Sequence, residues 1–562
     1  MTQQPTAIQV KDIDHLGIIA GIIDQMGLVD QVNELVGTHP QEQVSTGQVI
    51  KAMILNGLGF VAAPMYLFSQ FFDGLATEHL IGEGVQPEHL NDDRLGRALD
   101  KFYQVGVTKL FTALAMKAVK QFGVSMPSIH LDSSSFHVDG EYLPSPADEA
   151  ADPTTELEAK ESESSHQLPS EIEPKAITIT HGYSRDHRPD LKQFIIDTIC
   201  TADGDIPLYL RVADGNEDDK TIFAKLFQEF QQQWTFDGLC VADSALYTAD
   251  NLLAMKQLKW LSRVPLTINE AKQVYSDIKD SEWIISRFEG YRIAERRSYY
   301  AGIDQRWFIV ESEQRKQSDI KQLQKRIDKQ QQQQELKLRT LSAQGFACEP
   351  DAHQAAMKFE RSCKYHCLQD LKFISQAHYD KAGRPRKDDR PSRITYQIQA
   401  TLIPNQAVIE AEITQAGRFI LATNIWDADE LSPDEALREY KDQQCNERGF
   451  RFLKDPLFFT SSVFVKSPKR VTALAMVMAI CLLVYTLAQR QLRSALEQAE
   501  VGIKNQVGKL TQRPTIRWVF QCFQSVHLVL VNSGKQISNL TPERQKILRF
   551  LGAACSQYYL LC

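Results

Sequence analysis

Short apolar strands and helices alternate between residues 128 and 264, and this order constrains the fold more than any other feature. The strands resume at Arg418–Thr423 after a long interruption. The alternation predicts an α/β fold with a mixed sheet. The predicted elements, in chain order, are strands at Ile129–Val138, Ala176–His181, Phe194–Ile199 and Ile206–Val212, a helix at Lys220–Gln232, a strand at Gly238–Asp243, a helix at Ala249–Leu258 and a strand at Trp260–Val264.

The chain has 562 residues, which is too long for one hydrophobic core. We predict a helical N-terminal domain (1–127), an α/β core in two parts (128–267 and 418–550) and a C-terminal tail (551–562). The insertion between the two core parts (268–417) is predicted to be β-rich, at Tyr291–Val310 and Ile394–Ile413, with a helical stretch at 313–375 that suggests a helical hairpin.

The net charge of −8 argues mildly against a nucleic-acid binder, because such proteins usually carry a basic face. Residues 148–175, however, contain nine Asp or Glu and two Lys, so one segment accounts for nearly all of the excess. The acidic stretch 144–174 is rich in Pro, Ser and Glu and is predicted to be disordered. Basic surfaces elsewhere therefore remain compatible with the total charge.

Val471–Ala488 is an 18-residue stretch without a charge. This is the lower limit for crossing a bilayer, and a helix buried on all sides gives the same signal. We favour the buried helix, with no membrane partner. The ten cysteines and the polar N-terminus indicate reduced thiols in a cytoplasmic protein. The cluster of Cys363, His366 and Cys367 lacks the paired spacing of a zinc site, so scattered thiols are favoured.

A helix is predicted to begin at the capping box Ser432–Glu435 and to end before Pro456. Tyr440, Gln443, Glu447 and Lys454 fall within an arc of about 60° at ~100° per residue. Arg451 lies within ~20° of Tyr440 on the other side. One face therefore carries an aromatic ring, an amide, a carboxylate and two cations, although a solvated helix face is the common alternative.

Two aspartates distinguish this helix from an ordinary charged surface. Asp132 lies in or at the end of the first strand, and Asp243 closes the apolar strand before it. A carboxylate in such a place is costly unless it is paired or bound to a metal. If the two strands are neighbours, Glu447 could complete a cluster of three carboxylates, and Mg²⁺ is a natural ligand for such oxygens.

At these residues the sequence resembles a known family. Tyr440-x2-Gln443-x3-Glu447-x6-Lys454 is similar to the Tyr-x2-Arg-x3-Glu-x6-Lys signature of the IS-four superfamily of DDE transposases, which are encoded by bacterial insertion sequences, with Gln in place of Arg. The resemblance extends over about residues 45–550. Four further stretches carry it: Ile129–Ser133, His181–Gln193, Val241–Tyr247 and Glu447–Pro456.

The resemblance implies a ribonuclease H-like core in which Asp132, Asp243 and Glu447 hold two Mg²⁺ ions, for which Mn²⁺ can substitute. With these ions the enzyme would cut and rejoin double-stranded DNA at the ends of the element. It also implies a homodimer on paired ends, associated with the nucleoid. The residues expected to contact DNA are Tyr440, Gln443 and Lys454, with Arg448 or Arg451 in place of the missing arginine, and Arg185, Arg188 and Lys192 in the basic stretch after His181.

Several alternatives stay open at this stage. A catalytically inactive, transposase-derived DNA-binding protein, a general ribonuclease H-like nuclease and a membrane-anchored protein would each account for part of the pattern. The N-terminal helices could bind DNA or serve as an oligomerisation module. The stretch His181–Lys192 could also be a surface turn, and Gly383–Lys387 could be a minor-groove hook or, as we favour, an exposed basic loop.

Overall fold

The computed structural model describes residues 8–60, 65–138, 140, 142, 175–380, 390–455, 467–531 and 534–561. These residues form two compact units. Unit 1 comprises Met1–Ser262 and Arg438–Cys562, and unit 2 comprises Arg263–Leu437. The predicted acidic insert 144–174 and the basic motif Gly383–Lys387 lie outside the described residues.

The helices and strands follow each other in an order that mixes both types throughout the chain. The strands are β1 (Ile8–Asp12), β2 (Ser128–Val138), β3 (Lys192–Thr201), β4 (Pro207–Ala213), β5 (Leu239–Ala242), β6 (Trp260–Arg263), β7 (Ile284–Ile285), β8 (Tyr291–Tyr300), β9 (Ile303–Ser312), β10 (His366–His378), β11 (Arg393–Pro404), β12 (Arg418–Thr423), β13 (Ile503–Lys504), β14 (Leu510–Thr511), β15 (His527–Val531) and β16 (Gly534–Ser538).

The α-helices are α1 (Leu16–Met26), α2 (Leu28–Val36), α3 (Thr46–Gly57), α4 (Phe68–Phe71), α5 (Thr77–Ile81), α6 (Asp92–Val105), α7 (Val107–Phe122), α8 (Asp219–Gln233), α9 (Ala249–Ala254), α10 (Asn269–Asp277), α11 (Glu313–Ala343), α12 (Glu349–Arg361), α13 (Gln406–Gln415), α14 (Pro433–Asp442), α15 (Gln444–Leu453), α16 (Pro468–Gln498), α17 (Ile516–Cys522), α18 (Pro542–Leu551) and α19 (Ala553–Ser556). Short 3₁₀ turns occur at Met65–Leu67, Pro87–His89, Asp280–Glu282 and Gln557–Tyr559.

The sheet of unit 1 has the strand order β4-β3-β2-β5-β6. β2, β3 and β4 pair antiparallel, whereas β2, β5 and β6 run parallel. This arrangement confirms the predicted α/β class with a mixed sheet. β2 and β3 are buried along nearly their whole length, so the middle of the sheet is the core of this unit.

The predicted strand Ala176–His181 is wrong. Only an isolated bridge joins Thr180 to Gln193. The amide of Thr178 donates to the Asp214 side chain, 2.6 Å away, and the Thr178 carbonyl accepts from Gly215. The backbone groups of this segment are therefore satisfied by a loop, which the alternating sequence pattern cannot reveal.

The apolar stretch 471–488 lies in α16, and 89% of its most apolar window is buried inside the protein. α16 packs against α1, α3, α6, α7 and α18. By length and composition it is the one helix among the described residues that would be able to cross a membrane. Its burial among other helices accounts for its apolar surface, as the sequence predicts.

The N-terminal helices do not form a domain of their own. They share α16 with the rest of unit 1, and β1 pairs antiparallel with β15 near the C-terminus. The predicted C-terminal tail is also wrong, because residues 553–559 pack on α1. Cys555 is fully buried, and the Tyr559 side chain is 1% exposed. The partners of this segment lie more than 500 residues earlier in the chain, so no local pattern predicts its packing.

Unit 2 contains strands in the order β12-β9-β8-β7 and a separate antiparallel pair, β10-β11. The β-rich flanks and the helices α11 and α12 agree with the predicted insertion. Two boundaries differ from the prediction. Residues 366–375 are part of β10 and not helical, and Gln406–Gln415 is a helix where the sequence pattern predicts a strand. The Asn405 side chain caps that helix by accepting from Val408.

Candidate active site

Asp132 and Asp243 lie side by side on neighbouring parallel strands. β2 and β5 are in register through Leu131 and Ala242, and each aspartate is the next residue along its strand direction. The Asp243 carboxylate accepts a hydrogen bond of 2.8 Å from the amide of Ala245, and this bond stabilises the turn after β5. The parallel register therefore brings two carboxylates, 111 positions apart in sequence, to one end of β5.

Asp132 is an unusual carboxylate, because its side chain is only 16% exposed. The pKa of Asp132 is raised to about 7, chiefly by burial; Arg185 lowers it, and the negative charges of Asp243 and Asp219 contribute to the rise. Burial and the charge of Asp243 also raise the pKa of Asp219, while Arg185 acts in the opposite direction on that pKa. Three acidic groups thus repel one another at this end of the sheet, and a cation would relieve that repulsion.

Arg185 supplies positive charge within this acidic group. Its guanidinium donates to the Asp219 carboxylate and to the Ser133 carbonyl, and it lies 3.4 Å from Asp132 Oδ1. The sequence predicts Arg185 as a DNA contact and does not identify Asp219 at all. Asp219 begins α8, where an acidic residue is readily explained by the helix dipole, so its sequence context does not suggest a site.

The predicted signature helix consists of two helices, α14 and α15, with Gln443 between them. The predicted capping box at its start is present, since Ser432 Oγ accepts from the amide of Glu435 and the Glu435 carboxylate accepts from the amide of Ser432. Gln443 keeps helical dihedral angles (φ −55°, ψ −19°), so the break is mild. The signature residues therefore stay on consecutive turns.

Helix α15 is docked directly onto the strand that carries Asp132. The Asn446 side chain donates to the His130 carbonyl at 2.8 Å, and Gln443 donates to the Leu131 carbonyl at 3.4 Å. Asn446 also accepts from Thr198 on β3. Two adjacent backbone carbonyls of β2, directly before Asp132, therefore determine where this helix lies.

Glu447 follows Asn446 on α15 and is exposed. Its position, one turn after Gln443, places it on the edge of the docked face, about 100° around the helix from Asn446. Within the described part of the chain, Glu447 makes no hydrogen bond or ion pair, and no three His, Cys, Asp or Glu side chains are arranged to hold a metal ion. The structure thus brings Asp132 and Asp243 together and leaves Glu447 outside a three-ligand group.

The predicted DNA-contact cations mostly contact carboxylates of the protein itself. Lys454 Nζ is 2.7 Å from Asp186, and it also lies over the Phe136 ring. The other contacts are Arg448 with Asp205, Arg188 with Asp190, and Lys192 with the Tyr142 carbonyl. Arg451 is exposed and Tyr440 is half-buried. These pairs lie at the protein surface, where a phosphate group could compete for the same cations.

The cysteines outside this site are free thiols in the described residues, including Cys348, Cys363 and Cys367. Burial raises the pKa of the Cys363 thiol. His366 is 2% exposed and belongs to no metal-binding group in the part of the chain that the structure covers.

Comparisons with known proteins cover this chain unevenly. A protein-family model described as a domain of unknown function (DUF4277) matches residues 8–116, which run from β1 into α7. No curated protein matches the chain. Among solved structures, the chain is similar to one described as a cryo-EM structure of the piggyBac transposase synaptic complex with hairpin DNA. That similarity has a TM-score of 0.35 and 9% identity, over 99% of this chain and 88% of the other.

Proposed function

We propose that this protein is a DDE transposase that cleaves the DNA ends of its own insertion sequence and joins them to a target. The observation that carries the proposal is the docking of the signature helix. Gln443 and Asn446 hold α15 on the two β2 carbonyls before Asp132, and β5 brings Asp243 to the same end of the sheet. This docking supports a site that both aspartates and the motif-bearing helix would form together.

The sheet of unit 1 supports the finer assignment of a ribonuclease H-like core. Three antiparallel strands are continued by two parallel ones; Asp132 lies on β2, and Asp243 directly follows the neighbouring strand β5. The long insertion between β6 and α14 agrees with the resemblance to the IS-four superfamily, which commonly has a β-rich insertion before the glutamate. The proposal assigns Asp132, Asp243 and Glu447 as the catalytic acids.

The donor chemistry fits Mg²⁺. This ion commonly binds through one or two carboxylates and keeps several waters, with phosphate oxygens of the substrate completing its shell. Asp132 and Asp243 provide two such carboxylates, and Glu447 is the proposed third ligand. When bound, a pair of Mg²⁺ ions would activate a water or a 3′-hydroxyl and stabilise the leaving 3′-oxygen.

The other residues of the chain would bind and orient the DNA. Lys454, on the same helical arc as Glu447, would exchange Asp186 for a DNA phosphate, and Tyr440 lies one turn before Gln443. Arg448 and Arg451 would supply the charge that Gln443 lacks relative to the family signature. A second subunit on the paired element end would complete the assembly, as the resemblance to the IS-four superfamily implies.

The test compares the full chain with three site variants and one control variant on DNA that carries the terminal inverted repeats of its element. We expect Mg²⁺-dependent nicks and joined products from the parent chain. Glu447→Gln, Asp132→Asn and Asp243→Asn should each abolish cleavage but leave DNA binding, measured by gel shift, nearly unchanged. Glu497→Gln, at an exposed glutamate on α16, is the matched control and should cleave normally.

The outcomes separate the competing functions. The exposed position of Glu447 favours one second candidate, a transposase-derived DNA-binding protein without catalysis. That candidate predicts binding of end DNA with no cleavage in Mg²⁺ or Mn²⁺. Nicks without joined products would indicate a general nuclease. Normal cleavage by Glu447→Gln would remove Glu447 from the site.

A further inference from the structure

Arg185 occupies an unusual place for a residue of a surface loop. Its guanidinium lies against Asp132, Ser133 and Asp219, with the side chain about one-third exposed. The predicted metal ligand Asp132 is thus approached by an internal cation from the same protein. A cation at this place neutralises part of the charge that would otherwise attract a divalent ion.

The loop that carries Arg185 is held from several sides. The amide of Arg185 donates to Ser135 Oγ, and Ser184 bonds to His137, both on β2. The next residue, Asp186, accepts from Lys454 at the end of α15. The position of Arg185 therefore depends on β2 and on the signature helix together, so it is a built feature of this site.

We propose that Arg185 is a positioning residue that acts as the resident counter-cation of the carboxylate site and competes with the divalent metal for Asp132. This inference rests on the proposed function, because it takes Asp132 and Asp243 as the metal-binding pair. In the DNA-free protein, Arg185 holds the carboxylates of Asp132 and Asp219 in place. When a divalent ion binds, the guanidinium leaves Asp132 and becomes available to a DNA phosphate.

The first experiment measures Mn²⁺ binding to the full-length, DNA-free protein by electron paramagnetic resonance. Removal of a positive charge a few ångströms from the ion should strengthen binding, so Arg185→Gln should bind Mn²⁺ about ten-fold more tightly or better. Arg185→Lys keeps the charge and should stay near the parent value. Arg188→Gln, in the same loop and paired with Asp190, is the matched control and should not change the affinity.

A second experiment needs no variant and remains informative if Arg185→Gln does not fold. The parent protein is treated with phenylglyoxal, which modifies accessible guanidinium groups, and the modified peptides are quantified by mass spectrometry. Saturating Mg²⁺ should increase the modification of Arg185 several-fold, while Arg188 serves as an internal reference and should not change.

The results distinguish failure of this inference from failure of the proposed function. Mn²⁺ binding that Asp132→Asn abolishes, but that Arg185→Gln leaves unchanged or weakens, would overturn the role of Arg185 alone. Phenylglyoxal reactivity of Arg185 that does not respond to Mg²⁺ would overturn the same role. Absence of any Mn²⁺ binding that depends on Asp132 would overturn the proposed function and this inference with it.

Discussion

The carboxyl group of Asp132 makes the stability of the protein depend on pH. Its pKa of about 7 lies well above the ordinary 3.8, because burial and two neighbouring aspartates disfavour the charged form. At a pH between these two pKa values, Asp132 is therefore protonated in the folded protein and ionised in the unfolded chain. By linkage, the contribution of Asp132 to stability falls as the pH rises from about 4 to about 7.

This predicts a pH-dependent gain from Asp132→Asn. At pH 8 the variant should be more stable than the parent chain by about 1–3 kcal/mol in free energy of unfolding, since it removes the buried charge. The gain should disappear near pH 4, where Asp132 is protonated in the folded protein and its charge no longer penalises folding. Urea unfolding at several pH values measures the difference. Asp237→Asn, at a side chain that is 97% exposed, is the control and should show no such trend.

A stability difference between Asp132→Asn and the parent that does not depend on pH would contradict the assigned origin of the shift. The distinction bears on the proposed function, in which a divalent cation would stabilise the charge of this carboxylate.

At the scale of the element, α15 is held by polar contacts to β2 as well as by packing. Asn446 is 1% exposed, and its amide satisfies the His130 carbonyl within the sheet. A buried carbonyl without a partner costs about 1–3 kcal/mol. The orientation of the signature residues depends on this contact, so the helix position and the site geometry are coupled.

We therefore expect Asn446→Ala to lower the free energy of unfolding by about 1–3 kcal/mol and to reduce cleavage of end DNA. The neighbouring Gln444 is exposed, and Gln444→Ala should stay within about 0.5 kcal/mol of the parent with normal cleavage. Urea unfolding and the cleavage assay measure the two effects. An Asn446→Ala protein as stable as the Gln444→Ala control would show that packing alone positions α15.

The contact between α1 and α19 predicts that Gly21→Ala lowers stability, whereas helix propensity alone would predict a gain. Gly21 lies inside α1, where Ala would normally stabilise a helix by about 1 kcal/mol. A Cβ at this position would lie 2.5 Å from the Ala554 carbonyl oxygen and 2.6 Å from Cys555 Cα, which are backbone atoms. One of the two helices must then move.

Gly21→Ala should accordingly destabilise the protein by about 1–3 kcal/mol, in the range for overpacked cores. Gly96→Ala is a matched control, because its nearest neighbour is the guanidinium end of Arg470, a side chain that can shift. Thermal unfolding compares the two. Equal or higher stability for Gly21→Ala would mean that the C-terminal segment does not pack on α1 as described.

At the scale of the whole molecule, α16 joins the N-terminal helices to the rest of unit 1. Its apolar residues face α1, α3, α6, α7 and α18, and hydrophobic burial of this kind is the main favourable term in folding. We expect the untagged chain to stay with the soluble proteins after high-speed centrifugation of a cell lysate. A membrane pellet that resists carbonate extraction would contradict the burial of α16.

The elements that could be predicted are those with a strong local pattern. β2, β3, β4, α8, β5 and β6 occur within a few residues of their expected places, because alternating or helical apolar spacing selects backbone geometry from near neighbours. The sequence also predicts that Asp132 and Asp243 face each other if their strands are neighbours, and the parallel pairing of β2 with β5 meets that condition. The helix that contains Glu447 is also predicted, as one helix where the structure has α14 and α15, but its docking on β2 through Asn446 is not.

Contacts between distant segments account for what could not be predicted. Residues 553–559 have the sequence of a tail but are buried against α1 in the structure. Residues 176–181 have the alternating pattern of a strand, but their backbone hydrogen bonds are those of a loop. Arg185 is a surface cation in sequence, but 53 positions separate it from the carboxylate it approaches. Local spacing records which backbone shape a segment prefers. The charge and burial of a side chain depend instead on which surfaces meet after folding, and these are not encoded by its near neighbours.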